Sequence, residues 1–95
     1  DEIKPIAAAV HSVTGEKERF AFYDAGQPRF DETGQIQWYG ERTMWILTDA
    51  AGFENALAEP IARVWVVDTA TYDRYFAARS TIVARSGHLL CVKLT

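Results

Sequence analysis

Three aspartates, Asp24, Asp49 and Asp68, each stand just past a short apolar run: Phe20-Ala21-Phe22-Tyr23, Met44-Trp45-Ile46-Leu47 and Val64-Trp65-Val66-Val67. If those runs are strands of one parallel sheet, the three carboxylates share its carboxyl edge, where open α/β sheets bind ligands. Carboxylate oxygens grouped there could hold Mg²⁺, which takes oxygen ligands in octahedral geometry. A phosphoacceptor-like site is therefore the sharpest chemistry the strand ends offer. The competing use is helix capping. An Asp ahead of a helix accepts from unpaired amides and offsets the helix dipole, worth ~1 kcal/mol per site. Asp49 and Asp68 both precede helix-patterned segments, so capping is the preferred reading. A phosphoacceptor site also needs an adjacent acidic pair after the first strand, and Asp24 is followed by Ala25. No metal and no other cofactor is expected.

The remaining reactive residues read as structural. General-base chemistry needs a histidine beside a nucleophile and an orienting carboxylate. His11 lies on a helix-patterned segment, and His88 is two residues past Ser86. A turn serine followed by a strand-start histidine explains the second pair better than a dyad. Cys91, the single cysteine, lies between Leu90 and Val92 and is expected to be a buried, inert thiol. Neighbouring Cys and His do not have zinc spacing. Gly26, Gly34 and Gly40 are too scattered for a phosphate-cradling loop. Three tryptophans could form a stacking platform. Trp45 and Trp65 occupy matching places in apolar runs and are expected in the core; Trp38 and Tyr39 are kept as a surface contact. No catalytic residue is assigned.

The bulk composition narrows the classes. Ninety-five residues with 48% hydrophobic content make one globular domain near the small end of what holds a core. A net charge of −3, with Lys17 and Arg19 interrupted by Glu16 and Glu18, argues against a nucleic-acid partner, because phosphate binding needs a concentrated basic face. No apolar run approaches the ~18 residues of a membrane span. No signal peptide is read at the start. The chain opens at Asp1 and not at Met. The expectation is a processed chain or a domain excised from something longer.

The elements that must position these residues follow from periodicity. Ile3, Ile6, Ala7, Val10 and Val13 fall at helical spacing, with Pro5 suited to a first turn and Gly15 to the stop. Residues 20–23 read as the first strand. Residues 36–39, Ile-Gln-Trp-Tyr, could be a short strand or a helical turn, and periodicity does not decide over so few residues. Residues 44–47 and 64–67 are continuous apolar runs, as expected for strands covered on both faces. Phe53, Ala56 and Leu57, ended by Pro60, give the helix after the first of these; Tyr72, Tyr75 and Phe76 give the helix after the second. Residues 81–84 and 89–92 read as a closing hairpin about a Ser86-Gly87 turn. The expected fold is α/β: a small, mostly parallel open sheet with flanking helices and a C-terminal antiparallel hairpin, forming one domain over residues 1–95.

One ordered set of short motifs resembles a known family. It comprises Lys4-Pro5-Ile6-Ala7, then Phe22-Tyr23, then Trp38-Tyr39-Gly40-Glu41-Arg42 leading to Asp49. Arg63-Val64-Trp65-Val66-Val67-Asp68, Tyr72 and the closing Val83-Ala84-Arg85-Ser86-Gly87-His88-Leu89-Leu90 complete it. Together they resemble the soluble C-terminal domain of bacterial membrane glycosyltransferases of the dolichyl-phosphate-mannose protein mannosyltransferase and aminoarabinose transferase type. The resemblance implies a multi-pass parent enzyme using a polyprenyl-phosphate-linked sugar, with this domain on the periplasmic or outer face of the cell membrane. It implies that the catalytic acids lie in the membrane portion, so none is carried over to this chain. The positions that carry over, Tyr39, Gly40, Arg42, Ser86 and Gly87, are read as structural, and the likeness favours helix over strand for 36–39. The family often has Leu at Gly40 or its neighbour. The implied role is a non-catalytic accessory domain whose partners are the membrane-embedded part of the same polypeptide and an acceptor substrate. Trp38, Tyr39 and Arg42 are its contact surface. The alternative is a free-standing α/β protein-binding module of the immunity or adaptor type, with a Mg²⁺-dependent phosphoacceptor behind it.

Overall fold

The computed structural model describes residues 2–25 and 30–95. Helix α1 (Ile3–Val13) buries Ile3, Ile6, Ala7, Ala9 and Val10, the stripe expected from the sequence. Its stop is made by Thr14, not by a left-handed glycine: Thr14 turns extended, and its hydroxyl and amide both donate to the Val10 carbonyl, at 2.6 and 3.1 Å. Strand β1 (Phe20–Tyr23) follows and is buried throughout. Helix α2 (Phe30–Gly40) settles the open segment, since residues 36–39 form its last turns. It lies against α1 through two small residues. A Cβ at Gly40 would stand 3.2 Å from the Ala7 carbonyl oxygen, so a side chain here would press α1 back by a few tenths of an ångström.

Strand β2 (Met44–Ile46) leads through Asp49 into α3 (Ala50–Ala58), and β3 (Val64–Asp68) leads directly into α4 (Thr69–Thr71). The last of these continues as a π-helical turn over Tyr72–Phe76. Strands β4 (Ser80–Ser86) and β5 (Leu89–Leu94) close the chain as a hairpin. Its turn residues are Gly87 and His88, one place later than expected; Gly87 holds φ of 59°, where glycine carries no Cβ penalty.

The strands form one sheet in the order β2-β1-β3-β5-β4. The fold is α/β, and the sheet is mixed rather than mostly parallel. The parallel ladders β1–β2 and β1–β3 span three residue pairs each, whereas the antiparallel ladders β3–β5 and β4–β5 span five and six. The reason is strand length: β1 and β2 have four and three residues, while the hairpin strands have seven and six.

Alternation along the inner strands divides the core between two faces. Phe20, Phe22, Val64, Val66, Leu89 and Cys91 pack under α1 and α2 with Ile6, Val10 and Ile36. Ala21, Tyr23, Trp65, Val67, Leu90 and Val92 pack under α3 and the π-helical turn with Phe53, Leu57 and Phe76. Phe53 anchors the second face, stacked on Tyr23 at 4.4 Å and edge-on to Trp65 at 5.8 Å. Strand β2 departs from expectation. Only Met44 is buried, while Trp45 and Ile46 are 41% and 38% exposed, because β2 is the sheet edge and has a neighbour on one side only.

Candidate functional site

The parallel strands β1, β2 and β3 carry Asp24, Asp49 and Asp68 to one edge of the sheet, as their spacing required. Each carboxylate there is already engaged. Asp49 caps α3, its Oδ1 accepting from the Gly52 amide at 2.7 Å. Asp68, buried, caps α4 by accepting from the Thr71 amide at 3.3 Å and the Thr71 hydroxyl at 2.5 Å. Asp24 meets His88 Nε2 at 3.0 Å. Among the described residues, no group of three or more His, Cys, Asp or Glu side chains could hold a metal ion. Among the described residues the three aspartates serve as two helix caps and a partner of His88.

His88 is held from both sides. Its Nδ1 faces Glu2 Oε1 at 3.1 Å, opposite the Asp24 contact, and its backbone amide donates to Glu2 Oε2 at 3.3 Å. Ser86 takes no part, so no serine–histidine dyad forms. The pattern was invisible to spacing because Glu2 and Asp24 lie 86 and 64 residues from His88. His11 Nδ1 lies 3.0 Å from the Gly40 carbonyl oxygen, tying α1 to the end of α2. Cys91 is buried, and desolvation pushes its thiol up to about 12, which leaves the nucleophilic thiolate essentially unpopulated at neutral pH. Burial likewise raises the Tyr23 phenol, with the Asp68 charge adding to it.

The surface kept open by the structure is the last turn of α2. Trp38 is 80% exposed and Tyr39 49%. A depression of about 490 Å³ beside them is lined by Gln37, Trp38, Tyr39 and Glu41. A second, of about 440 Å³, shares Gln37, Trp38 and Glu41 and adds Glu16, Arg42 and Thr43. Lys4 Nζ lies 5.3 Å from the centre of the Tyr39 ring, and the Arg19 guanidinium lies 4.4 Å from that of Trp45, so two exposed aromatics carry cations on their faces.

Arg42, expected at the contact surface, lines the second depression but chiefly clamps the exit of α2 to the end of α1. Its Nε donates to the Thr14 hydroxyl at 2.9 Å, Nη2 to the Thr14 carbonyl at 3.1 Å, and Nη1 to the Glu41 carbonyl at 2.9 Å. A cation over the free carbonyls of a helix C-terminus is favoured by the dipole. Gln37 Oε1 accepts from the Met44 amide at 3.3 Å and so fixes the turn against β2. Glu41 is the residue that sequence reasoning passed over. It holds φ of 55°, the left-handed cap position that glycine ordinarily fills. Gly40 stands one place too early because Ala7 requires it there.

Comparison with protein-family models, with curated proteins and with solved structures gives no match for this chain.

Proposed function

We propose that this chain is a non-catalytic accessory domain of a polyprenyl-phosphate-sugar-dependent membrane glycosyltransferase, displayed on the periplasmic or outer face of the membrane and contacting the membrane-embedded part of the same polypeptide. The observation that carries the reading is Trp38, an indole left 80% exposed beside Tyr39 on the turn that holds the Trp38-Tyr39-Gly40-Glu41-Arg42 motif. Adjoining exposed aromatics make the kind of contiguous apolar patch that partners use. One further feature supports it. The acidic, histidine and cysteine side chains considered for catalysis are spent on caps, a histidine clasp and a core. No helix among the described residues is long and apolar enough to cross a membrane.

The complete reading frame tests this directly. A run of apolar spans of ~18 residues or more is expected beside the domain. A photo-crosslinking side chain replacing Trp38 in the intact membrane protein is expected to join the domain to the membrane portion. A short frame without such spans removes the reading and leaves the free-standing binding module, which would use the same exposed turn on a separate protein.

A further inference from the structure

The lining of the two depressions says what kind of molecule would suit them. Trp38 has no ring, cation or hydrogen-bond partner among the described residues, so its flat face is open. Around it stand a carboxamide, two carboxylates and a hydroxyl, from Gln37, Glu16, Glu41 and Thr43. The centre of an apolar protein contact would be charge-depleted, so the membrane portion would meet this turn at its rim and leave the Trp38 face to a smaller molecule. A phosphate would want free cations, and the one guanidinium there among the described residues, Arg42, is committed to the Thr14 and Glu41 carbonyls. A cationic ligand would sit beside Arg42 and beside Lys4, which already covers Tyr39. What remains is a neutral, hydroxyl-rich molecule with one apolar face, and about 490 Å³ lies within the ~300–1,000 Å³ of small-molecule sites.

Glu41 itself sits at the left-handed C-terminal cap of α2, where a non-glycine residue costs ~1 kcal/mol or more. Glu41 lines both depressions, and its carboxylate has no ion pair or hydrogen bond among the described residues. Glycine would relieve the backbone and remove the carboxylate together.

We propose that the last turn of α2 is a saccharide-binding site, in which the apolar face of a neutral sugar ring stacks on Trp38, the Glu41 carboxylate accepts from its hydroxyls, and the Gln37 amide nitrogen, whose oxygen is held by the Met44 amide, donates to one of them. The inference rests on the accessory-domain reading only in sharing its contact surface, and narrows that surface to a sugar.

The test titrates the 95-residue chain with mannotriose, maltotriose and chitotriose at millimolar concentration, following the three indole N–H signals by NMR. At least one trisaccharide is expected to move the Trp38 signal saturably while the Trp65 signal stays fixed. Trp38→Ala, at an exposed position that the core does not use, should abolish the response. Glu41→Gly should raise the melting temperature and yet weaken binding about tenfold, a combination that a purely structural residue would not give. The proposal is overturned if none of the three sugars produces a saturable shift, or if Trp38→Ala or Glu41→Gly binds as tightly as the parent sequence. Its failure is separable from that of the accessory reading: sugar binding without membrane spans in the reading frame keeps the site and removes the parent enzyme, and the reverse result does the opposite.

Discussion

Glu18 shows how a single half-buried side chain ties the first turn to the sheet. Its Oε1 accepts from the Gly15 amide at 3.0 Å and from Arg63 Nη2 at 3.1 Å, and the same Arg63 nitrogen donates to the Val13 carbonyl. The Gly15 amide above all holds the carboxyl below its ordinary value of 4.5; burial opposes it as the next effect, and the Arg63 hydrogen bond and charge add to the lowering. A carboxyl lowered in the folded state contributes stability that is complete above its ordinary value and is lost as pH falls through the folded value. The melting temperature is therefore expected to decline as pH is lowered from about 5 to 3, with a shallower decline in Glu18→Gln. Equal slopes in the two proteins would show that the Glu18 bonds do not survive in solution. No such reversal of sign applies to Cys91, whose raised thiol is neutral throughout this range.

At the scale of elements, the two glycines of α2 separate backbone entropy from packing. Both lie in a helix, where alanine is intrinsically better by roughly 1 kcal/mol. A Cβ at Gly34 meets nothing within 4 Å, so Gly34→Ala is expected to stabilise the domain by ~0.5–1 kcal/mol. A Cβ at Gly40 meets the Ala7 carbonyl at 3.2 Å and its Cα at 3.7 Å. Those are backbone atoms of α1 and cannot rotate away, so overpacking of ~1–3 kcal/mol outweighs the helix gain, and Gly40→Ala is expected to destabilise. Urea unfolding of the two variants gives the comparison; if both move the midpoint the same way, the α1–α2 contact is looser than described. The caps belong to this scale as well. Asp49 and Asp68 were legible because a polar residue between an apolar run and a helical stripe has one dominant local use.

Across the whole molecule, the Glu2–His88–Asp24 clasp joins the start of α1, the end of β1 and the β4–β5 turn. Gly87 belongs to it, because a Cβ there would collide with the Glu2 carboxylate. Both carboxylates lie against opposite ring nitrogens, and only a doubly protonated ring donates to both. Each pair is partly solvated, so the expected cost of His88→Ala is modest, about 1 kcal/mol in unfolding free energy, with faster amide exchange in the first turn of α1. Unchanged exchange in that turn would mean that the clasp does not hold the helix.

The amino-acid sequence by itself determined the elements whose signals are local. These are the apolar stripe of α1, the runs of β1 and β3, the Asp49 and Asp68 caps and the closing hairpin. Trp65 and Cys91 were also legible as core, because β3 and β5 are apolar over their central residues and admit no solvent face. Residues 36–39 were open because four residues do not distinguish a period of 2.0 from one of 3.6. Only the tertiary structure decided what depends on strand order and on distant pairing. Trp45 and Trp65 occupy matching places in similar runs, yet one is half exposed and the other fully buried, because β2 fell at the edge and β3 at the centre of the sheet. The engagement of Asp24 by His88 and the left-handed backbone of Glu41 were decided in the same way, by residues 64 positions apart and by the approach of Ala7 to Gly40. Burial and pairing belong to the assembled sheet, and neither is a property of the run of residues that enters it.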